Sequence, residues 1–496
     1  MKKIFIPWLF SALFLACQSS ENKSNQSDSA KTISGSAKDS LILPTPGPIP
    51  NSTMTKEYVY QMGRQIYFWA WPLVNLHNRA MAMSKVQEAG LNGGAVPVAP
   101  LNHLCMLTDY ITPGQRYVAC PNQDVVYGGA FLDLSKGPVI LQIPDFGNRF
   151  WVCQMGNQRT EGIGQLGAMY GSRKGFYMIA ASDWKGEVPK AVEKVFRSST
   201  NIAYAFPRVF MNNDPEDRKA LQPIISQLNT YPLSAFDGGW KIMDWSKIPK
   251  FPDPLQSQGG KEVAFVIPEK FFEELPAVMT ECPPMKGEEA LYVRYKYVLD
   301  AADKDPVLKA SLNKAAMDAE KDLIDPLRQF KNTGIPAGHY WNTVKNGAAW
   351  GTDYLNRTGA ARSNIFVNQP NETMYFNQDR DSSGADLSGN GNYSITFSRT
   401  SIPHVKGFWS LTVYDANHFF YQNPDKIYSL GTKNKNLHYN EDGSLTLFLQ
   451  NQKPAGQMAD NWLPTPKAKF GLLLRAYWPE ESMVQEYLPP LVIRRK

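Results

Sequence analysis

From Thr53 onward, apolar side chains recur at three- and four-residue intervals. Tyr58, Met62, Ile66, Trp69 and Leu73 fall on one stripe, which predicts an amphipathic helix. Pro72 lacks the N–H that a helix interior uses, so the helix is expected to kink or divide there. The pattern then shortens to apolar runs punctuated by Gly and Pro. Its clearest stretch is CPNQDVVYGGAFLDLSKGPVILQIP, from Cys120 to Pro144. Val, Ile, Phe and Tyr on both sides of a Gly-Pro turn predict a β-hairpin. Further strands are predicted over Phe150 to Met155, over GFYMIAA and over Val195 to Val209. Asp214-Pro215-Glu216-Asp217 then opens a helix through Leu228, its acids at the positive end of the dipole. From Trp240 to about Thr358 the pattern is mostly helical, and HYWNTVKNGAAWGTDYL reads as one or two more helices. From Asn364 the β-signals NYSITF, FWSLTVYD, SLTLFLQ and FGLLLRAYW return at regular spacing. The expected fold is mainly β with α: two β-sandwich or jelly-roll-like domains, 53–240 and 364–496, separated by a mainly helical insert, 241–363.

A length of 496 residues exceeds one ordinary core. The net charge of +6 is spread along the chain without a polybasic run, which argues against a nucleic-acid partner. Residues 1–16 are two lysines and a short apolar run, the pattern of a secretory leader. Leu13-Phe14-Leu15-Ala16-Cys17 resembles a bacterial lipobox, with Phe14 where leucine is usual, so Cys17 is the expected lipidation site. Residues 17–52 are rich in Ser, Asn, Lys, Gly and Pro and read as a disordered tether. This predicts a lipid-anchored protein of the bacterial cell envelope, on the periplasmic or outer-membrane side, held to the membrane through Cys17. Cys105, Cys120, Cys153 and Cys282 are enough for up to two disulfides, or are buried free thiols.

The runs NQDVVYGGAFLDLSKGPVILQIPDFGNRFWVCQM, RSSTNIAYAFPRV and YPLSAF resemble a bacterial family of unknown function numbered 1254, over roughly Tyr58 to Phe236. Val125 stands where that family more often has threonine. The runs IPHVKGFWSLTVYDANHFFYQNPDKIYSLG, YNEDGSLTLFLQ, NWLPTP and FGLLLRAYWP resemble the family numbered 1214, which commonly follows the first in the same chain. The resemblance implies two β-domains joined by a helical insert and assigns no activity.

The chain has no G-x-S-x-G elbow, no H-E-x-x-H, no phosphate-binding G-x-x-x-x-G-K-[ST] and no zinc-ligand spacing, so no metal or cofactor is expected. Carboxylates are the better candidates for chemistry. Asp124 is the candidate catalytic residue, because Asn122, Gln123 and Asp124 gather three hydrogen-bonding side chains at one strand start. Asn122, Gln123, Tyr127, Gln154, Arg173 and Asp415 are the candidate ligand-binding residues. Asp133 and Asp145 read as turn formers, and Asp379, Asp381 and Ser383 as a turn-rich loop despite calcium-like spacing. The first functional expectation is binding of a glycan or another envelope or environmental ligand without turnover. The second is a hydrolase using Asp124 with Gln154 or Arg173. The third is a structural or assembly component, and a homo-oligomer is open in each case.

Overall fold

The computed structural model describes residues 54–252 and 261–496, so the leader, Cys17 and the whole of the tether lie outside the described residues. Helix α1, Lys56–Met83, starts on Thr55, whose hydroxyl accepts the Tyr58 amide, and it runs unbroken through Pro72. The expected division fails for a tertiary reason. Proline leaves the carbonyl four residues earlier, that of Phe68, without its helical donor, and the Thr358 hydroxyl supplies one at 3.0 Å. Arg357 donates as well to the neighbouring Trp69 carbonyl at 2.6 Å. Both donors sit on a later helix, Tyr354–Ser363. Met62, Ile66, Trp69 and Leu73 are buried as the stripe predicts, whereas Tyr58 is exposed.

The N-terminal sandwich is built from β1 (Cys105–Met106), β2 (Val125–Asp133), β3 (Val139–Ile143), β4 (Trp151–Asn157), β5 (Gly175–Ala181), β6 (Val192–Ser198), β7 (Ile202–Phe210) and β8 (Asn229–Pro232). One sheet has the order β1-β2-β7-β4 and the other β8-β3-β5-β6. Val126, Leu132, Leu141, Ile179, Phe196 and Val209 fill the space between them. The predicted hairpin of β2 and β3 does not form, because the two strands belong to opposite sheets. Asp133 caps a single 3-10 turn over Leu134–Lys136, and Gly137, at φ 119°, takes a backbone angle closed to side-chain-bearing residues. That corner carries the chain across the sandwich. The stretch from Val195 to Val209 likewise splits at residues 199–201 into β6 and β7, one in each sheet.

Helix α2, Pro215–Ile225, begins on Asp214 as its sequence predicts. Helices α3 (Phe271–Glu281), α4 (Glu289–Lys304) and α5 (Pro306–Ala319) follow, and they enclose α1 together with Tyr204 and Phe206 of β7. HYWNTVKNGAAWGTDYL is not helical before Tyr354, where α6 (Tyr354–Ser363) starts. His339, Tyr340 and Ala348 have left-handed backbone angles. The Trp341 and Trp350 indoles in the same stretch donate to distant carbonyls, of Pro490 and Thr160. Tertiary anchoring of the two indoles outweighs helix propensity here.

The C-terminal sandwich contains β9 (Ile335–Pro336), β10 (Asn342–Thr343), β11 (Thr373–Gln378), β12 (Asn392–Phe397), β13 (Val405–Asp415), β14 (Ser429–Gly431), β15 (Leu445–Gln450), β16 (Trp462–Pro464), β17 (Phe470–Pro479) and β18 (Val492–Arg495). Its sheets have the orders β9-β10-β11-β17-β13-β14 and β16-β15-β12-β18. Their inner faces meet through Phe376, Ile395, Leu411, Leu447, Leu472 and Leu474. The fold is therefore mixed β and α, with two sandwiches and a helical layer. All four described cysteines are buried free thiols, so no disulfide joins them. Among the described residues, no helix is long and apolar enough to cross a membrane.

Candidate functional site

The polar triplet before β2 forms a joint between the two sandwiches. Asn122 is fully buried; its side-chain oxygen accepts the Asp124 amide at 2.8 Å and its side-chain N–H donates to the Tyr477 hydroxyl on β17 at 2.7 Å. Asp124, 1% exposed, faces Lys433 across 3.3 Å and accepts a hydrogen bond from Ser429 of β14. The Lys433 ammonium also donates to the Gln123 carbonyl at 2.5 Å. Burial lowers the Lys433 pKa, and Asp124 opposes that shift. The second Asp124 carboxylate oxygen is buried without a hydrogen-bond partner. The Gln123 side chain donates to the Ile111 carbonyl.

A cavity of about 130 Å³ lies beside this joint, walled by both sandwiches and the end of α1. Alternation along β2 sends Val126, Gly128, Ala130 and Leu132 into the sandwich core and turns Tyr127, Gly129 and Phe131 the other way, where all three line the cavity. The two glycines differ sharply. A Cβ on Gly128 would stand 2.6 Å from the Met106 sulfur and 2.8 Å from the Pro207 ring, whereas one on Gly129 would meet nothing nearer than Phe206 at 3.5 Å. Gly129 is the open floor of the cavity. Phe131, Phe206 and Phe366 form its aromatic wall, with Phe206 and Phe366 edge to face at 4.3 Å.

Three buried arginines complete the lining. Arg208, across the β2–β7 pair from Tyr127, lies 5.5 Å from that ring. It donates to the Gln154 side-chain oxygen, to the Phe366 carbonyl at 2.7 Å and to the Tyr375 hydroxyl at 3.3 Å. Arg475, on β17, donates to the Cys120 carbonyl and the Tyr414 hydroxyl, both at 2.7 Å, and to Thr412. Arg79, on α1, donates to Asn75 and the Tyr117 carbonyl and stacks on Phe265 at 4.0 Å. Burial lowers Arg79 to about 9, against the pull of Glu262, which leaves it charged at neutral pH. Among the described residues, no Asp, Glu or His lines the cavity. The Cys120 thiol in the lining is pushed up to about 12 by burial, with Arg475 opposing.

Residues 101–232 match the family model described as a protein of unknown function, DUF1254, and residues 372–481 match the one described as a protein of unknown function, DUF1214. The chain carries both domains, in that order. No curated protein matches it. The crystal structure of the VPA0106 protein from Vibrio parahaemolyticus aligns at a TM-score of 0.59 and 20% identity, over 88% of this chain and 100% of that one, and shares the fold. That of an uncharacterized protein from Burkholderia cenocepacia aligns at 0.42 and 11%, over 88% and 94% of the two chains.

The triplet of the DUF1254 domain thus grips the DUF1214 domain, and the cavity lies where the two domains face each other. Tyr127 and Gln154 come together around Arg208. No hydrogen bond or ion pair joins Asp124 to Gln154 or to Arg173 among the described residues. Arg173 has an exposed side chain, and its backbone N–H and carbonyl are both bonded to the Tyr177 hydroxyl. Asp415 accepts the Asn417 and Phe419 amides as a turn former. It also lines a second, more polar cavity of about 560 Å³, in which Glu262 holds Arg328 at 2.7 Å and Arg362 at 3.0 Å. Arg79 lines both cavities. Asp381 takes the Ser383 and Ala385 amides, closing a turn. Sequence reasoning missed Arg79, Arg208, Arg475 and Lys433 as site residues. A signal existed for two of them: AYAFPRVF and FGLLLRAYW each hold one arginine inside an otherwise apolar strand, and a charge buried there needs a partner.

Proposed function

We propose that this protein is a binding protein whose cavity between the DUF1254 and DUF1214 domains takes a small, largely apolar ligand and releases it unchanged. The single observation carrying this reading is the lining, which is aromatic and aliphatic with a few convergent donors and, among the described residues, without a carboxylate or imidazole to move a proton. A glycan needs a denser set of hydrogen-bonding partners than these walls offer, so the reading favours an apolar molecule. Asp124, enclosed between Lys433 and Ser429, serves in it as the fastener that keeps the two cavity walls in register. Lipidation of Cys17 would place binding at the bacterial envelope.

The test is a thermal-shift screen of small aromatic and aliphatic molecules on the full-length chain and on a Gly129→Leu variant, whose side chain would fill the floor. Ligands are expected to stabilise the wild type, to lose that effect in the variant and to be recovered intact. A screen that stabilises both proteins equally, or neither, refutes the cavity as a binding site.

A further inference from the structure

Resting on the cavity reading above, we propose that the ligand is an aromatic carboxylate, its ring between Phe131, Phe206 and Phe366 and its anionic end at Arg208, Arg475 and Tyr127. Size comes first. An apolar protein cavity of about 150 Å³ accommodates benzene, and this one is about 130 Å³. One aromatic ring is therefore the natural occupant, and three phenylalanine rings already set edge to face around the space offer it the tilted contacts that aromatic groups prefer.

Charge decides the headgroup. Arg79, Arg208 and Arg475 are 7%, 5% and 2% exposed. Among the described residues none of the three has a carboxylate within ion-pair distance. Two other buried arginines are paired, Arg159 with Glu288 at 2.9 Å and Arg362 with Glu262 at 3.0 Å, whereas Arg357 stands singly against the Trp69 carbonyl; the cavity is where three unpaired guanidiniums gather. A cation taken out of water without a counter-charge is unfavourable, and a monoanionic ligand supplies the missing charge. Two polar groups at this end are unfilled. The Arg208 Nε is buried without a hydrogen-bond partner, and the Tyr127 hydroxyl makes no hydrogen bond among the described residues. The planar fork of a guanidinium matches a carboxylate in shape as well as sign. Among the described residues no acid lines the space to repel it.

Calorimetric titration of the full-length chain with benzoate, benzyl alcohol and benzylamine tests the inference, because the three share a ring and differ in the charge of the head. Benzoate is expected to bind about tenfold or more tighter than benzyl alcohol, the range of a charge-assisted hydrogen bond, and benzylamine not to bind. Tyr127→Phe removes only one hydroxyl and should weaken benzoate by about tenfold while leaving benzyl alcohol unchanged. Arg208→Met should reduce benzoate to the affinity of benzyl alcohol. If that variant does not fold, Tyr127→Phe and the wild-type comparison still decide. Benzyl alcohol binding as tightly as benzoate, with both lost in Gly129→Leu, would overturn the anion assignment and leave the cavity reading standing. Binding by none of the three would overturn both.

Discussion

Replacing Asp124 by asparagine removes the charge facing Lys433 and keeps the shape of the side chain, so it isolates the electrostatic part of the joint. Lys433 is 6% exposed and has one other acceptor, the Gln123 carbonyl. Stripping one partner from a buried ion pair typically costs about 3–5 kcal/mol, because the remaining charge stays desolvated. The ammonium has one escape, loss of its proton, and the work of that step limits the damage. From an ordinary lysine value of 10.5, it is about 5 kcal/mol at pH 7 and falls by about 1.4 kcal/mol per pH unit. Asp124→Asn should therefore lose about 3 kcal/mol of stability at pH 7 and no more than about 2 kcal/mol at pH 9. The sign follows from proton counting: with its folded pKa depressed further, native Lys433 binds fewer protons than the unfolded chain, so the variant gains stability relative to wild type as pH rises towards 10.5. Urea unfolding of both full-length proteins at the two pH values measures the difference. Adding Lys433→Met to the variant should restore most of the loss, since an apolar pair replaces a stranded charge. A deficit below about 1 kcal/mol at pH 7, or one that does not shrink by pH 9, would refute the reasoning.

Three further outcomes follow from the geometry. Gly128→Ala should destabilise by about 1–3 kcal/mol by overpacking against Met106 and the rigid Pro207 ring, while Gly129→Ala should be neutral or stabilising; urea midpoints of the two variants should move in opposite directions or differ plainly in size. Burial, reinforced by Arg328, lowers buried His418 from 6.5 to about 3, so the unfolded chain takes up a proton the native one refuses, and stability falls as pH drops through that window. Against His418→Asn, whose residue tolerates the left-handed angle at this position, the acid limb of wild-type stability should be steeper below pH 6.5. With its thiol pushed up to about 12 and buried, Cys120 should resist iodoacetamide at neutral pH until the chain is unfolded, read by mass spectrometry of the alkylated peptide.

Periodicity read from the sequence located the strands and helices well, because burial alternates cleanly along β2 and recurs every three or four residues along α1. It could not say which strands pair. An arch through Gly137 and a hairpin have the same local composition, and only the β2–β7 and β3–β5 registers separate them. That α1 continues through Pro72 was hidden for a related reason, since the compensating donor, Thr358, comes from a distant helix. In the site, Tyr127 and Gln154 were legible as polar residues on a strand face. Their meeting point, Arg208, was in plain view inside an apolar run, but what it faces depends on tertiary contacts with Phe366 and Tyr375. The triplet Asn122, Gln123 and Asp124 was conspicuous for its polarity, and the structure ties each member to a segment distant in the chain, Gln123 through its backbone carbonyl rather than its side chain.

The corner at Gly137 also sets an order of events during synthesis. Because β2 crosses to the opposite sheet from β3, Asp133 must wait for Ile202, and Val125 for Phe210, before either has a strand partner. In the second sandwich Thr373 waits for Tyr477 and Asn392 for Arg495. Such long-range pairing delays sheet formation until the partner strand has emerged. A chain interrupted before Phe470 lacks the strand shared by β11 and β13 and, with it, Arg475 and the hydroxyl that Asn122 holds. Either domain produced alone would carry half a cavity wall and a stranded polar triplet or lysine. The protein is thus an all-or-nothing product, and dissecting it into its two domains is the surest way to lose the property one set out to measure.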